Sequence, residues 1–159
     1  MLFTRHELSR LTTRLLVLAA VFSLAHHLDH VLRVDHSGWP FKPQVTPFTF
    51  SLLAYPMMAF ALWGPWRFFW TRWTLLALGT AFTLYAHSAL ESPLMQYRMW
   101  ADNCSADPAF SDVRNLLDRR SPTAGVLAVL VSMSLNLLAM AATWSMLVDG
   151  RRKRAAQPT

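Results

Sequence analysis

Four apolar stretches, at about residues 15–33, 47–63, 73–91 and 124–148, each approach the roughly 20 residues a helix needs to cross a bilayer. The charged residues are gathered into short segments between them. Inside a bilayer no water is available to satisfy backbone N–H and C=O groups, so such segments are helices. The sequence therefore predicts an all-α chain, a four-helix transmembrane bundle, forming one integral membrane domain over residues 1–159 with a basic tail at 149–159. Composition agrees, with 53% hydrophobic residues, seven Trp and ten Phe in 159 positions.

Sidedness follows from Lys and Arg. Arg5, Arg10, Arg14, Arg67, Arg72, Arg151, Arg152, Lys153 and Arg154 place nine of the fifteen basic residues on one side of the four stretches. Only Glu7 and Asp149 oppose them there. The other side carries Arg33, Lys42, Arg98, Arg114, Arg119 and Arg120 against seven acidic residues, so both termini are expected in the cytoplasm. The net charge of +6 is then a topology signal. Four cations beside a span anchor it and meet anionic headgroups, which makes membrane lipids the expected partner and leaves no role for nucleic acid. Cys104 is the single cysteine, which rules out an intramolecular disulfide.

The first stretch admits another reading. Its uninterrupted apolar core, Leu15 to Ala25, is eleven residues, and Ser23-Leu24-Ala25 resembles a small-residue cleavage site behind a basic leader. Leu28, Val31, Leu32 and Val34 continue the apolar pattern further, so the expectation is a full span with an embedded polar face. Elsewhere, Gly38-Trp39-Pro40 and Lys42-Pro43 break the first outer connection. Pro56 is expected to kink the second span, because it offers no N–H to the carbonyl of Leu52. In the long second outer loop, Ser111 is expected to cap a short helix bearing Val113, Leu116 and Leu117 over the outer mouth of the bundle.

Ionisable residues inside spans are costly and require partners. On a helix of 3.6 residues per turn, His26, Asp29, His30 and Arg33 share about a third of the circumference, while His27 points roughly a quarter-turn away. His26 and His30 are spaced i,i+4, which suits two ligands to one metal, and His87 and Glu91 repeat that spacing in the third stretch. Both pairs lie in the outer third of their spans. Ser132 and Asn136 add a polar seam on the fourth. The expected metal ligands are His26, His30, His87 and Glu91, binding Zn, Fe or Cu, with His27, Asp29, Arg33, Asp35 and His36 around them. Asp29 is expected to orient an imidazole through its second nitrogen.

Other readings stand beside this one. The same side chains can pair with each other and simply hold helices together, as Asp29 and Arg33 do at i,i+4. One histidine from each helix can hold a b-type haem. Copper gains interest from Met95, Met99 and Cys104 as soft donors, and proton or ion conduction is a further possibility. A metal would support attack by activated water on a lipid-like substrate. The competing class is a non-enzymatic accessory or assembly subunit of a membrane complex, or a homo-oligomer. Nucleophile motifs, phosphate-binding glycine loops and dinucleotide fingerprints are absent from the sequence.

His27-Leu28-Asp29-His30-Val31-Leu32-Arg33, Gly38-Trp39-Pro40, Pro47-Phe48-Thr49-Phe50-Ser51-Leu52 and Tyr55-Pro56 resemble a pattern in small, uncharacterised four-span membrane proteins of bacteria. The resemblance covers roughly the first 60 residues. It implies a multi-pass fold in a bacterial cytoplasmic membrane and carries no activity with it.

Overall fold

The computed structural model describes residues 8–33, 47–106, 108 and 111–156. All regular structure in them is helical, with no strand among the described residues. The chain forms α1 (Arg10–Arg33), α2 (Pro47–Ser51), α3 (Ala54–Trp63), α4 (Phe69–Tyr85), α5 (Pro93–Ala101) and α6 (Pro122–Ala155). A 3-10 turn at Trp66–Phe68 leads into α4, and a π-helical turn at Ala86–Leu90 continues it. The connection between α1 and α2, with Asp35 and His36, lies outside the described residues.

Two helices, α1 and α6, are long and apolar enough to cross a membrane. α1 is continuous through Ser23-Leu24-Ala25. Its buried positions, Thr12, Leu16, Ala19, Ser23 and His26, recur every three or four residues and are mostly small or polar. Its exposed large apolar side chains are Leu11, Val17, Leu18, Val21, Leu24 and Leu28. The apolar stripe thus faces outward and the polar stripe inward, the reverse of a helix in a water-soluble domain. α6 repeats the pattern, burying Gly125, Ala128 and Ser132 while exposing Leu130, Met133 and Leu137. Small inward residues let helix backbones approach closely, and the most extensive helix pairing is α1 along α6. Ser121 starts α6 by accepting a bond from Ala124 N–H at 3.2 Å, with Pro122 in the first turn.

The second and third apolar stretches form interrupted helices. Residues 47–63 were expected as one kinked span and instead break at Leu52 and Leu53, between α2 and α3. Pro56 is the cause expected, displaced by one turn. Lacking a donor at residue 56, the Leu52 carbonyl accepts from Tyr55 N–H at 3.3 Å, a tighter turn than the α-helix allows. α4 begins at Phe69, four residues before the expected start, and Glu91 N–H closes the π turn on Ala86 O at 2.7 Å.

The long loop also departs from expectation. Residues 111–121 hold no helix; the helical piece of the loop is α5, in its first half, packed on α6. An added Cβ at Gly125 would lie 2.7 Å from the Tyr97 carbonyl oxygen, which shows how closely α5 sits on α6. Residues 111–121 are turns organised by buried Asn115, whose Nδ2 donates to Met99 O and Arg119 O at 3.2 and 2.7 Å. Its Oδ1 accepts from the N–H groups of Leu117 and Arg119, both at 3.2 Å. These local side-chain bonds satisfy the backbone that a helix would have satisfied. Leu116 N–H then ties the loop to Leu32 O, the end of α1, at 2.7 Å.

The two ends of the molecule differ in chemistry. At one end Leu16, Ala61, Phe69, Leu76, Ala142 and Met146 form the apolar core. Beyond it Asp149 accepts from Ser9 N–H and Thr12 Oγ1–H at 2.9 and 2.7 Å, and Lys153 stacks over Trp66. At the other end the interior is polar, and the histidines are there.

Candidate metal centre

α1 delivers His26 and His30 one turn apart on its inward face, with Arg33 completing the stripe at the helix end. The π turn delivers the facing group. Such wide turns insert one residue into a helix and recur at functional sites. Here the turn buries His87, and Glu91 follows immediately in extended backbone.

His26, His87 and Glu91 each offer one ligand atom, and the three atoms lie within 4.8 Å of one another. His26 Nε2 is 2.9 Å from His87 Nε2 and 3.0 Å from His30 Nε2. His30 Nε2 is in turn 3.1 Å from Glu91 Oε2. Three of the four side chains predicted as ligands, His26, His87 and Glu91, therefore converge, and His30 adjoins them through His26 and Glu91.

Neutral imidazoles do not pair fully with one another here. With His87 Nδ1 3.0 Å from Asn136 Oδ1, an Nδ1–H donated to that oxygen leaves His87 Nε2 as a bare lone pair toward the cluster. To bond that lone pair, His26 Nε2 must be an N–H. His30 Nε2, facing the Glu91 carboxylate, is an N–H as well, and so meets the His26 N–H at 3.0 Å donor to donor. One ring nitrogen cannot serve both neighbours. His26 Nδ1 is buried with no hydrogen-bond partner among the described residues. A cation set among the Nε2 atoms removes the conflict, since each then directs a lone pair at one centre. Ligands about 2.0–2.1 Å from a tetrahedral ion stand about 3.3 Å apart, a few tenths of an ångström wider than the 2.9, 3.0 and 3.1 Å separations of His26 from His87, His26 from His30 and His30 from Glu91.

Arg33 is 1% exposed; its Nε donates to Asp29 Oδ2 at 2.6 Å and its Nη1 to Glu91 Oε1, so that among the described residues two carboxylates face this guanidinium. Glu91 is further held by Gln96 Nε2 at 3.4 Å, and Gln96 Nε2 also donates to Ser132 Oγ at 3.1 Å.

Several expected partners take other places. Asp29 orients no imidazole: its second oxygen accepts from Trp100 Nε1 at 2.7 Å, so it reaches the cluster only through Arg33. His27 turns away, as its offset on α1 requires. Its Nδ1 lies 2.8 Å from both Ser23 O and Tyr55 Oη, and its Nε2 lies 2.8 Å from Ser51 Oγ. It therefore binds α1 to α2 and α3 rather than surrounding the cluster. Cys104 is a free thiol outside the group. Asp35 and His36 lie outside the described residues. Gln96 and Trp100 were not anticipated; their one signal is the i,i+3,i+4 run Gln96, Met99, Trp100, which becomes a buried face once α5 folds back onto α6.

Beneath the cluster lies a cavity of about 260 Å³, with His26, His30, His87 and Glu91 at one end and Leu16, Leu76 and Ala142 at the other. Comparison with protein-family models, curated proteins and solved structures finds no match to this chain.

Proposed function

We propose that this chain is an integral membrane protein that crosses a bacterial cytoplasmic membrane four times, with both termini cytoplasmic, and holds one transition-metal ion beneath the outer face through His26, His30, His87 and Glu91. The observation that carries the metal is the meeting of His26, His87 and Glu91, whose ligand atoms lie within 4.8 Å of one another, with His30 Nε2 3.0 Å from His26 Nε2 and 3.1 Å from Glu91 Oε2. The membrane reading is supported by exposure. Only 33% and 22% of the apolar windows of α1 and α6 are buried, whereas the core helix of a water-soluble protein is mostly buried. Residues 47–63 and 69–91 provide the other two crossings as interrupted helices, which lipid tolerates where the freed backbone is satisfied inside the protein.

The donor set suits Zn, Fe or Cu, imidazole-rich and without thiolate. An ion is favoured over b-type haem by one distance. The Nε2 atoms of His26 and His87 are 2.9 Å apart, nearer than two axial bonds of about 2 Å each placed on opposite faces of a macrocycle. A second reading also has an observation behind it. At 3.1 Å a protonated His30 would pair with Glu91, making the cluster a structural joint of an accessory subunit.

Elemental analysis of protein purified gently in detergent without chelators separates the two. The metal reading expects about one ion per chain, lost in His26→Ala and His87→Ala and retained in His27→Ala. Wild-type protein that folds and carries no ion leaves the structural joint as the account.

A further inference from the structure

The cavity below the cluster has the form of a site for a chain-like ligand. Along α1 it runs from His26 to Leu16, ten residues or about 15 Å of helix. That is half of the roughly 30 Å hydrocarbon thickness of a bilayer, the depth that one acyl chain occupies in one leaflet. Its width comes from small residues, Ala19, Gly79, Ala139 and Ala142, on three helices. An added Cβ at Gly79 would lie 2.8 Å from Met57 Cε, so α3 and α4 close together there and bound the cavity on that side.

The polar groups in its wall are already used. Thr80 Oγ1 bonds Thr143 Oγ1 at 2.9 Å, and Thr83 Oγ1 donates to Gly79 O at 2.9 Å. The wall therefore offers dispersion contact along its length, and all of its ligating chemistry is at one end. Apolar cavities of this kind stay dry and accept apolar guests. Phe82 lines the cavity while standing 36% exposed, so that the α4 wall of the cavity reaches the surface of the protein.

We infer that the cavity binds a single unbranched acyl chain of a membrane lipid or fatty acid, entering sideways from the bilayer, with its oxygen-bearing head at the His26–His30–His87–Glu91 end. The placement of the head rests on the metal reading above; the placement of the chain does not. A free fatty acid and a lipid ester share this chemistry. A ring-headed isoprenoid is the different class that the test must exclude, since the ligating groups stand at one end of the cavity only.

The test uses the full-length protein in detergent and lauric acid bearing a photoreactive diazirine at its methyl end, with labelled residues mapped by peptide mass spectrometry. Labelling is expected at Leu16, Leu76 and Ala142, suppressed by excess lauric acid or its methyl ester and not by a decyl quinone. Ester competition as strong as that of the acid assigns the chain to a lipid, and acid-only competition assigns it to a free fatty acid. Ala139→Phe, which blocks the wall at mid-depth, should lower that labelling by about tenfold or more, as when about two methylenes lose their contacts. Labelling confined to outward-facing Leu24, Leu78 and Leu137, or equal displacement by the quinone, overturns the inference whether or not the variant folds.

The head is read separately through the visible spectrum of Co(II) added to the same protein. Laurate, and not acetate at equal concentration, should change that spectrum. Cobalt bound but no cavity labelling sinks the acyl chain alone. Cavity labelling in protein that takes no cobalt sinks the metal and the head placement, and leaves the chain site standing.

Discussion

Asn136→Leu tests how the cluster is prepared for a cation. The Asn136 Oδ1 acceptor, 3.0 Å from His87 Nδ1, fixes the tautomer that leaves Nε2 bare. Leucine is similar in size and accepts nothing. Without metal, His87 can move its proton to Nε2 and face the His26 lone pair, so the empty protein loses only the net value of one hydrogen bond, about 1 kcal/mol. With metal that escape is closed, because Nε2 must stay bare and the Nδ1–H is left buried without an acceptor, a cost of about 1–3 kcal/mol. The difference falls on binding. It agrees with the 10–100-fold loss, about 1.4–2.7 kcal/mol, seen when the acceptor behind a metal-bound histidine is removed. Asn136→Asp restores an acceptor and should hold affinity at or above the wild-type value. The assay is competition for Zn(II) or Co(II) against a chromogenic chelator in detergent, with thermal unfolding of the metal-free protein alongside. Equal affinity in wild type and Asn136→Leu, or equal losses in the Leu and Asp variants, would refute the tautomer argument.

Three further outcomes are expected. Arg33→Met leaves Asp29 and Glu91 without their buried counter-charge and should cost about 3–5 kcal/mol in detergent unfolding, with much of it recovered on adding Asp29→Asn; no loss would mean that the pair is solvated. Asn115→Leu strips the bonds to Met99 O and Arg119 O and should destabilise the outer turn by on the order of 2–3 kcal/mol, read as faster amide exchange at 115–121 with α6 unaffected. Reporter fusions after Arg14, within 66–72 and after Arg154 should read cytoplasmic, and those near Lys42 and Asp107 external; an external reporter after Arg154 contradicts four crossings.

The residues that the sequence could place are those whose position follows from one helix. The i,i+4 pair His26/His30 needed only the helical repeat, whereas His87 and Glu91, read at the same spacing, are brought to that pair by a π turn and the extended residue after it. Asn136 was visible as part of a polar seam, though not as the acceptor behind His87. What was not legible depends on where the long loop goes. Asp29 has a single local partner at i,i+4, and only the return of α5 over the bundle supplies Trp100 as the second. Gln96 is unremarkable in sequence and buried only by the same return. The expected helix after Ser111 lost to Asn115, whose side chain gives four bonds to nearby backbone and so stabilises turns instead. The break at Leu52 and Leu53 was legible in its cause, Pro56, but not in its extent. The π turn has no sequence signature that the helical repeat could reveal.

The central claim is that His26, His30, His87 and Glu91 surround one ion, and X-ray absorption of the metal-loaded protein at the metal edge reads that shell directly. The account predicts three imidazole nitrogens and one carboxylate oxygen at about 2.0–2.2 Å, with one imidazole lost in His87→Ala. A shell of water or sulfur donors, or an unchanged shell in His87→Ala, would contradict it.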